Sequence, residues 1–105
     1  MIISLDASLP DTEPILVEPD NFRALKAVVT GASAATFPGS DRAGELGRWE
    51  GEHVWVSPEK ILRWASEVRE LDEAWRGDFR KMLSYADKSG WVDKGGNVRV
   101  HVEYM

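Results

Sequence analysis

The chain has 105 residues, no cysteine, 43% hydrophobic and 30% charged residues, and a formal net charge of −5. This length supports a single domain over residues 1–105, and the apolar fraction is high enough for a packed core. The lack of cysteine excludes disulfides and thiolate zinc sites, and no apolar run approaches the roughly 18 residues of a membrane span. Because the first ten residues lack the basic segment of a signal peptide, we expect a cytoplasmic protein with no membrane contact.

The first half of the chain divides into three predicted segments. Residues 1–19 hold two short apolar runs between prolines, which predicts an extended arm or edge strands. An N-cap at Asp20 or Asn21 and apolar residues at helical spacing predict a helix over roughly 21–31. Residues 31–48 contain four glycines and predict a long glycine-rich loop, either a binding segment or a disordered connector.

The second half predicts one strand, a broken helix and a hairpin. Residues 49–56 alternate like a strand, and Ser57-Pro58 is a typical helix start. Apolar residues then recur at gaps of three and four as far as residue 88. An unbroken helix would be about 45 Å long, too long for a domain this small, so we expect a break at Leu71-Asp72 or Gly77-Asp78. Trp91-Val92, a turn, and the period-two stretch Val98–Tyr104 predict a C-terminal β-hairpin.

These elements predict the fold class. We expect a small single α+β domain, with about three helices packed on one face of a short, mainly antiparallel sheet.

The two histidines are candidate catalytic residues. Strand parity places them with Trp55, Arg99 and Glu103 on the sheet face opposite the valines. Such a cluster has the components for acid–base chemistry, with His53, His101 and Glu103 in that role. The alternative is an ordinary solvated sheet face. Two histidines 48 positions apart form no recognised ligand spacing, so no metal site is predicted.

Five tryptophans are unusual in so short a chain. They either thicken a thin core or mark an interface, since Trp and Arg dominate binding hot spots. The candidate binding residues on the second interpretation are Trp49, Trp55, Trp91, Arg42 and Arg99.

Charge is distributed unevenly along the chain. Residues 1–75 carry a net charge of −7 and residues 76–105 a net charge of +2. Helix, strand, two helices and a two-stranded ribbon follow in an order that resembles the winged-helix family, with residues 78–92 similar to a recognition helix entering a wing. That resemblance implies nucleic-acid binding. The basic candidates are Arg76, Arg80, Lys81, Lys88 and Lys94.

No phosphate-binding loop or nucleophile elbow is present in the sequence, and no cofactor is predicted. The sequence therefore favours a non-enzymatic accessory or protein-interaction module that binds a protein partner or associates with itself. Winged-helix-like nucleic-acid binding is one alternative. A small enzyme or ligand binder built on His53 and His101 is another.

Overall fold

The computed structural model describes residues 1–9 and 12–105; residues 10 and 11, inside the predicted N-terminal arm, lie outside the described residues. Six strands, two α-helices and two short 3₁₀ helices follow in this order: β1 (Ile2–Asp6), β2 (Ile15–Val17), β3 (Lys26–Thr30), the 3₁₀ helices (Phe37–Gly39 and Asp41–Glu45), β4 (Arg48–Glu50), β5 (His53–Val56), α1 (Pro58–Ser66), α2 (Glu73–Lys88) and β6 (Val98–Tyr104).

The strands form one mixed sheet in the order β2-β1-β3-β6-β5-β4. The inner pairs β1–β3 and β3–β6 are parallel, and the three outer pairs are antiparallel. The prediction of an α+β domain is confirmed, but the mainly antiparallel sheet is corrected to a mixed one. The difference arises because β3 and β6 each enter the sheet after a long connection, and such connections allow parallel neighbours.

The helix predicted over residues 21–31 is wrong, so the described residues form two α-helices rather than the three expected. Lys26–Thr30 is a strand instead. Ala27 and Val29 are fully buried on one face and Val28 is 9% exposed on the other. A strand buried on both faces reads as a continuous apolar run, and the β-branched Val28, Val29 and Thr30 favour that conformation over a helix.

Capping residues position both helices. The Ser57 side chain accepts a hydrogen bond from the Glu59 amide at 3.2 Å, and α1 begins at the next residue, Pro58. Asp72 accepts one from the Trp75 amide at 2.8 Å, so of the two predicted breaks the one at Leu71-Asp72 is confirmed and the one at Gly77-Asp78, inside α2, is wrong. Both helices therefore begin where the sequence supplies a side-chain acceptor.

The C-terminal strand is confirmed over Val98–Tyr104, but the predicted hairpin is largely absent. Trp91-Val92 contributes only an isolated bridge between Val92 and Val98, and the main partners of β6 are β3 and β5. The predicted strand over residues 49–56 is a hairpin of β4 and β5, with Gly51 at positive φ in its turn.

The core lies on one face of the sheet. Alternate residues of β1, β3, β5 and β6 join side chains of both helices in one buried cluster. The segment 31–48 adds Phe37, Ala43 and Leu46 to this cluster, each at most 2% exposed. Trp64 and Trp75, at 1% and 3% exposure, also belong to it, so these two tryptophans serve packing.

A substitution at Gly47, the residue before β4, tests how closely β4 packs against β5. A Cβ atom there would lie 2.0 Å from the Trp55 carbonyl oxygen, and the residue has φ +152°. We expect Gly47→Ala to lower the free energy of unfolding by about 1–3 kcal/mol, measured by urea denaturation, because backbone atoms must move apart. Gly44→Ala is the control, since no described atom lies within 4 Å of a Cβ at that position, and it should change stability by less than about 0.5 kcal/mol. Equal effects of the two substitutions would contradict this packing.

Candidate functional site

The strand register brings the predicted histidine cluster together on the sheet face away from the core. His53 lies opposite His101, and Trp55 lies opposite Arg99. Glu103 follows two residues after His101 and so shares its face. We call this surface the open sheet face.

The two imidazoles are neighbours, with ring centroids 5.5 Å apart and an interplanar angle of 62°. Glu103 does not orient them, because its carboxylate contacts the Lys26 ammonium at 3.0 Å. A histidine base is normally aligned by a third group, and within residues 1–9 and 12–105 neither imidazole has a hydrogen-bond partner. The same ranges contain no group of three or more His, Asp or Glu residues placed to hold a metal ion.

A shallow depression of about 530 Å³ borders His101 and Glu103, and it is open to solvent. His53 does not line it. Within the described residues, the two histidines therefore lie side by side, and only His101 of the two borders this depression.

Trp55 on the open sheet face is covered by a cation. The Arg48 guanidinium lies 5.3 Å from the Trp55 ring centroid and also contacts the Asp93 carboxylate at 3.0 Å. The Trp55 ring is thus already engaged by Arg48.

Two of the predicted binding residues hold loops in place. The Trp49 indole N–H donates to the Ala43 carbonyl at 2.8 Å, and its ring packs edge-on against Phe37. Arg42 donates to the Leu9 and Thr12 carbonyl oxygens and pairs with Glu45. These contacts tie the 3₁₀ helices to the β1–β2 connection and to the core.

Trp91 and Arg99, by contrast, meet at a cleft beside α2. Pairing between β6 and β3 starts only at His101 and Lys26, so the first residues of β6 extend beyond β3. There the Arg99 amide donates to the Trp91 carbonyl at 2.8 Å, which sets Trp91 alongside the end of the sheet. The segment before β3 and the C-terminal half of α2 complete the walls.

The cleft has a volume of about 110 Å³. Its lining is mainly apolar and includes Phe22, Leu25, Met82, Leu83, Trp91 and Val98. At its lip the Tyr85 and Trp91 rings meet edge to face, with centroids 5.9 Å apart. A second, more open depression continues along α2 past Phe22, Arg23, Lys81 and Asp78. We call the cleft and this continuation the α2 groove.

Sequence reasoning identified Trp91 and Arg99 but missed Tyr85, Phe22 and Arg23. Tyr85 had a usable signal, because it lies outside the apolar spacing of Trp75, Phe79, Met82 and Ala86, and yet it is a large aromatic residue. The sequence carries no such signal for Phe22 and Arg23, because their position in the groove depends on residues 26–30 forming a strand.

The predicted nucleic-acid residues do not form one basic surface. Arg76, Arg80, Lys81 and Lys88 are exposed on α2, and Lys94 is exposed in the turn before β6. Helical spacing puts Arg76 and Arg80 on one stripe with Asp87, and Lys81 and Lys88 on another. Of the five, Lys81 alone lines the α2 groove.

Comparison with protein-family models, with curated proteins and with solved structures finds no match to this chain. In the described part of the chain, no helix has the length and apolar character needed to cross a membrane.

The turn that presents Trp91 depends on a carboxylate. Asp93 accepts hydrogen bonds from the Asn97 and Gly95 amides, each at 2.9 Å, and contacts Arg48. The Asn97 amide bond, supported by the other donors, holds the pKa of Asp93 below its usual value. Its stabilising contribution is therefore present above the unfolded-state pKa of about 3.9 and is lost as the pH falls through the lower folded-state value.

We expect Asp93→Asn to be less stable than the wild type at pH 7, with the difference shrinking as the pH falls below about 4. Urea denaturation at a series of pH values measures this. Asp87→Asn, at an exposed position of α2, provides the matched control. Its stability difference from the wild type should show no comparable change with pH. A stability difference for Asp93→Asn that stays constant into acid would show that the turn does not depend on this charge.

Proposed function

We propose that the protein is a protein-interaction module that binds a partner polypeptide at the α2 groove. The observation that carries the proposal is the Tyr85–Trp91 pair, whose residues are 66% and 39% exposed at the lip of an apolar cleft. Paired exposed aromatic side chains beside arginine are the composition of binding hot spots.

The size of the cleft favours a side-chain anchor over a small-molecule ligand. Its volume of about 110 Å³ is less than that of the roughly 150 Å³ cavity that accepts benzene. Pockets for drug-sized ligands and cofactors measure about 300–1,000 Å³ and enclose most of the ligand. A single apolar side chain of a partner suits the cleft, while the open continuation along α2 offers room for the residues beside that anchor.

Peptides selected from a random library displayed on phage, with the wild-type protein as bait, test this proposal. We expect the enriched peptides to lose about tenfold or more in affinity with Tyr85→Ala and with Trp91→Ala, measured by fluorescence anisotropy of labelled peptides. Both side chains are largely outside the core, so circular dichroism should show folded variants.

His101→Ala is the control, because it removes an exposed ring from the open sheet face and leaves the groove intact. Binding should be unchanged in this variant. Peptides that lose affinity with His101→Ala and not with Tyr85→Ala or Trp91→Ala would locate the binding surface on the sheet and overturn the proposal. A selection that yields no binder also counts against it.

A further inference from the structure

The α2 groove differs in charge from the rest of the chain. Three basic residues, Arg23, Lys81 and Arg99, line it, and Asp78 at the far end of the continuation is the only carboxylate among its described lining residues. The groove thus carries a local charge of about +2 on a chain whose net charge is −5.

Internal ion pairs do not neutralise these three basic side chains. Within residues 1–9 and 12–105, no carboxylate lies within ion-pair distance of Arg23, Lys81 or Arg99. Arg69, in the connection between α1 and α2, contacts both Asp20 and Asp72. The groove beside the C-terminal half of α2 therefore has positive side chains around its apolar cleft, and no described carboxylate forms an ion pair with them.

We propose that the partner segment is acidic and amphipathic. One apolar side chain, of the size of leucine, enters the cleft between Phe22 and Trp91, and Asp or Glu residues beside it face Arg23, Arg99 and Lys81. This inference rests on the proposed function, since it specifies the chemistry of the segment that binds at the same groove.

Charge and shape each restrict the partner. Arg presents a fork of donors that matches a carboxylate, so Arg23 and Arg99, which both line the cleft, favour acidic neighbours of the anchor. A basic segment would meet like charge at three points, and like-charge contacts oppose association. A lipid-like anion would leave most of its chain outside a cleft of about 110 Å³.

The peptides selected above also supply the first test, which is composition. We expect the enriched sequences to combine one large apolar residue with an excess of Asp and Glu. For a synthetic member of that set, replacing every Asp and Glu by Asn and Gln should weaken binding about tenfold, and high salt should weaken the acidic form in the same direction.

Substitutions in the protein provide the second test. Arg23→Gln, Lys81→Gln and Arg99→Gln should each weaken binding of the acidic peptide about two- to fivefold, the range of a solvent-exposed charge pair. Arg76→Gln and Arg80→Gln change the net charge equally but lie outside the groove, and they should leave affinity unchanged. The double variant Arg23→Glu with Arg99→Glu should prefer a peptide in which lysine replaces the acidic residues.

The outcomes distinguish the proposed interaction site at the α2 groove from the proposed acidic character of its partner. If Tyr85→Ala and Trp91→Ala abolish binding but neutral or basic peptides bind as tightly as acidic ones, the acidic partner is wrong and the interaction site stands. The inference also fails if Arg76→Gln and Arg80→Gln weaken binding as much as the groove variants, because the effect is then one of net charge. Loss of all binding at the groove overturns both.

A second copy of the chain is the remaining alternative occupant of the groove, and it must be distinguished from an acidic segment of another protein. If sedimentation shows that the wild-type protein forms dimers without peptide and that Arg99→Gln dissociates them, a second copy fills the groove. That result would overturn an acidic segment of another protein as the partner. A monomer at all concentrations, with peptide binding as described above, supports it.

Discussion

The pairing of β6 between β3 and β5 is the constraint on which the rest of this structure depends. It puts a period-two strand in the interior of the sheet, with Val98, Val100 and Val102 in the core. A slip of one residue would turn these valines outward, so burial fixes the register strongly. The same register aligns His53 with His101 and Trp55 with Arg99 on the opposite face.

The offset between β6 and β3 creates the groove. Because β3 begins opposite His101, the earlier residues of β6 have no strand beside them on that side except the short bridge at Val92. Trp91, the segment before β3 and α2 fill that position incompletely and leave the apolar cleft. The candidate site is therefore a consequence of strand offset at one end of the sheet, and it lies apart from the histidine pair.

The sequence predicted the elements whose signals are local. Ser57 and Asp72 mark helix starts by side-chain capping, and the alternation of Val98–Tyr104 identifies β6 and its faces. These signals need no knowledge of distant residues. They were enough to place His53 and His101 on one face of the sheet.

The sequence could not predict features set by long-range pairing. The apolar residues Phe22, Leu25 and Val28 mimic a helical spacing, but the neighbouring strands β1 and β6 stabilise residues 26–30 as a parallel strand. Periodicity cannot distinguish a short buried strand from a helix segment. Phe22 and Arg23 reach the groove only because β3 follows them in the sheet. The wrong prediction of a helix over residues 21–31 therefore also prevented their identification as part of the candidate site.

Helix α2 has a buried row of side chains that packs on the sheet and an exposed side that borders the α2 groove. Trp75, Phe79 and Ala86 are at most 6% exposed and hold the helix to the sheet. Tyr85, at 66% exposure, lies away from that row and forms the lip with Trp91. A mostly exposed ring gains little free energy from folding, and the proposed function uses this exposed apolar surface for binding. Under the proposed function, substitution of the exposed lip residues would therefore change binding, while the buried row facing the sheet keeps the domain folded.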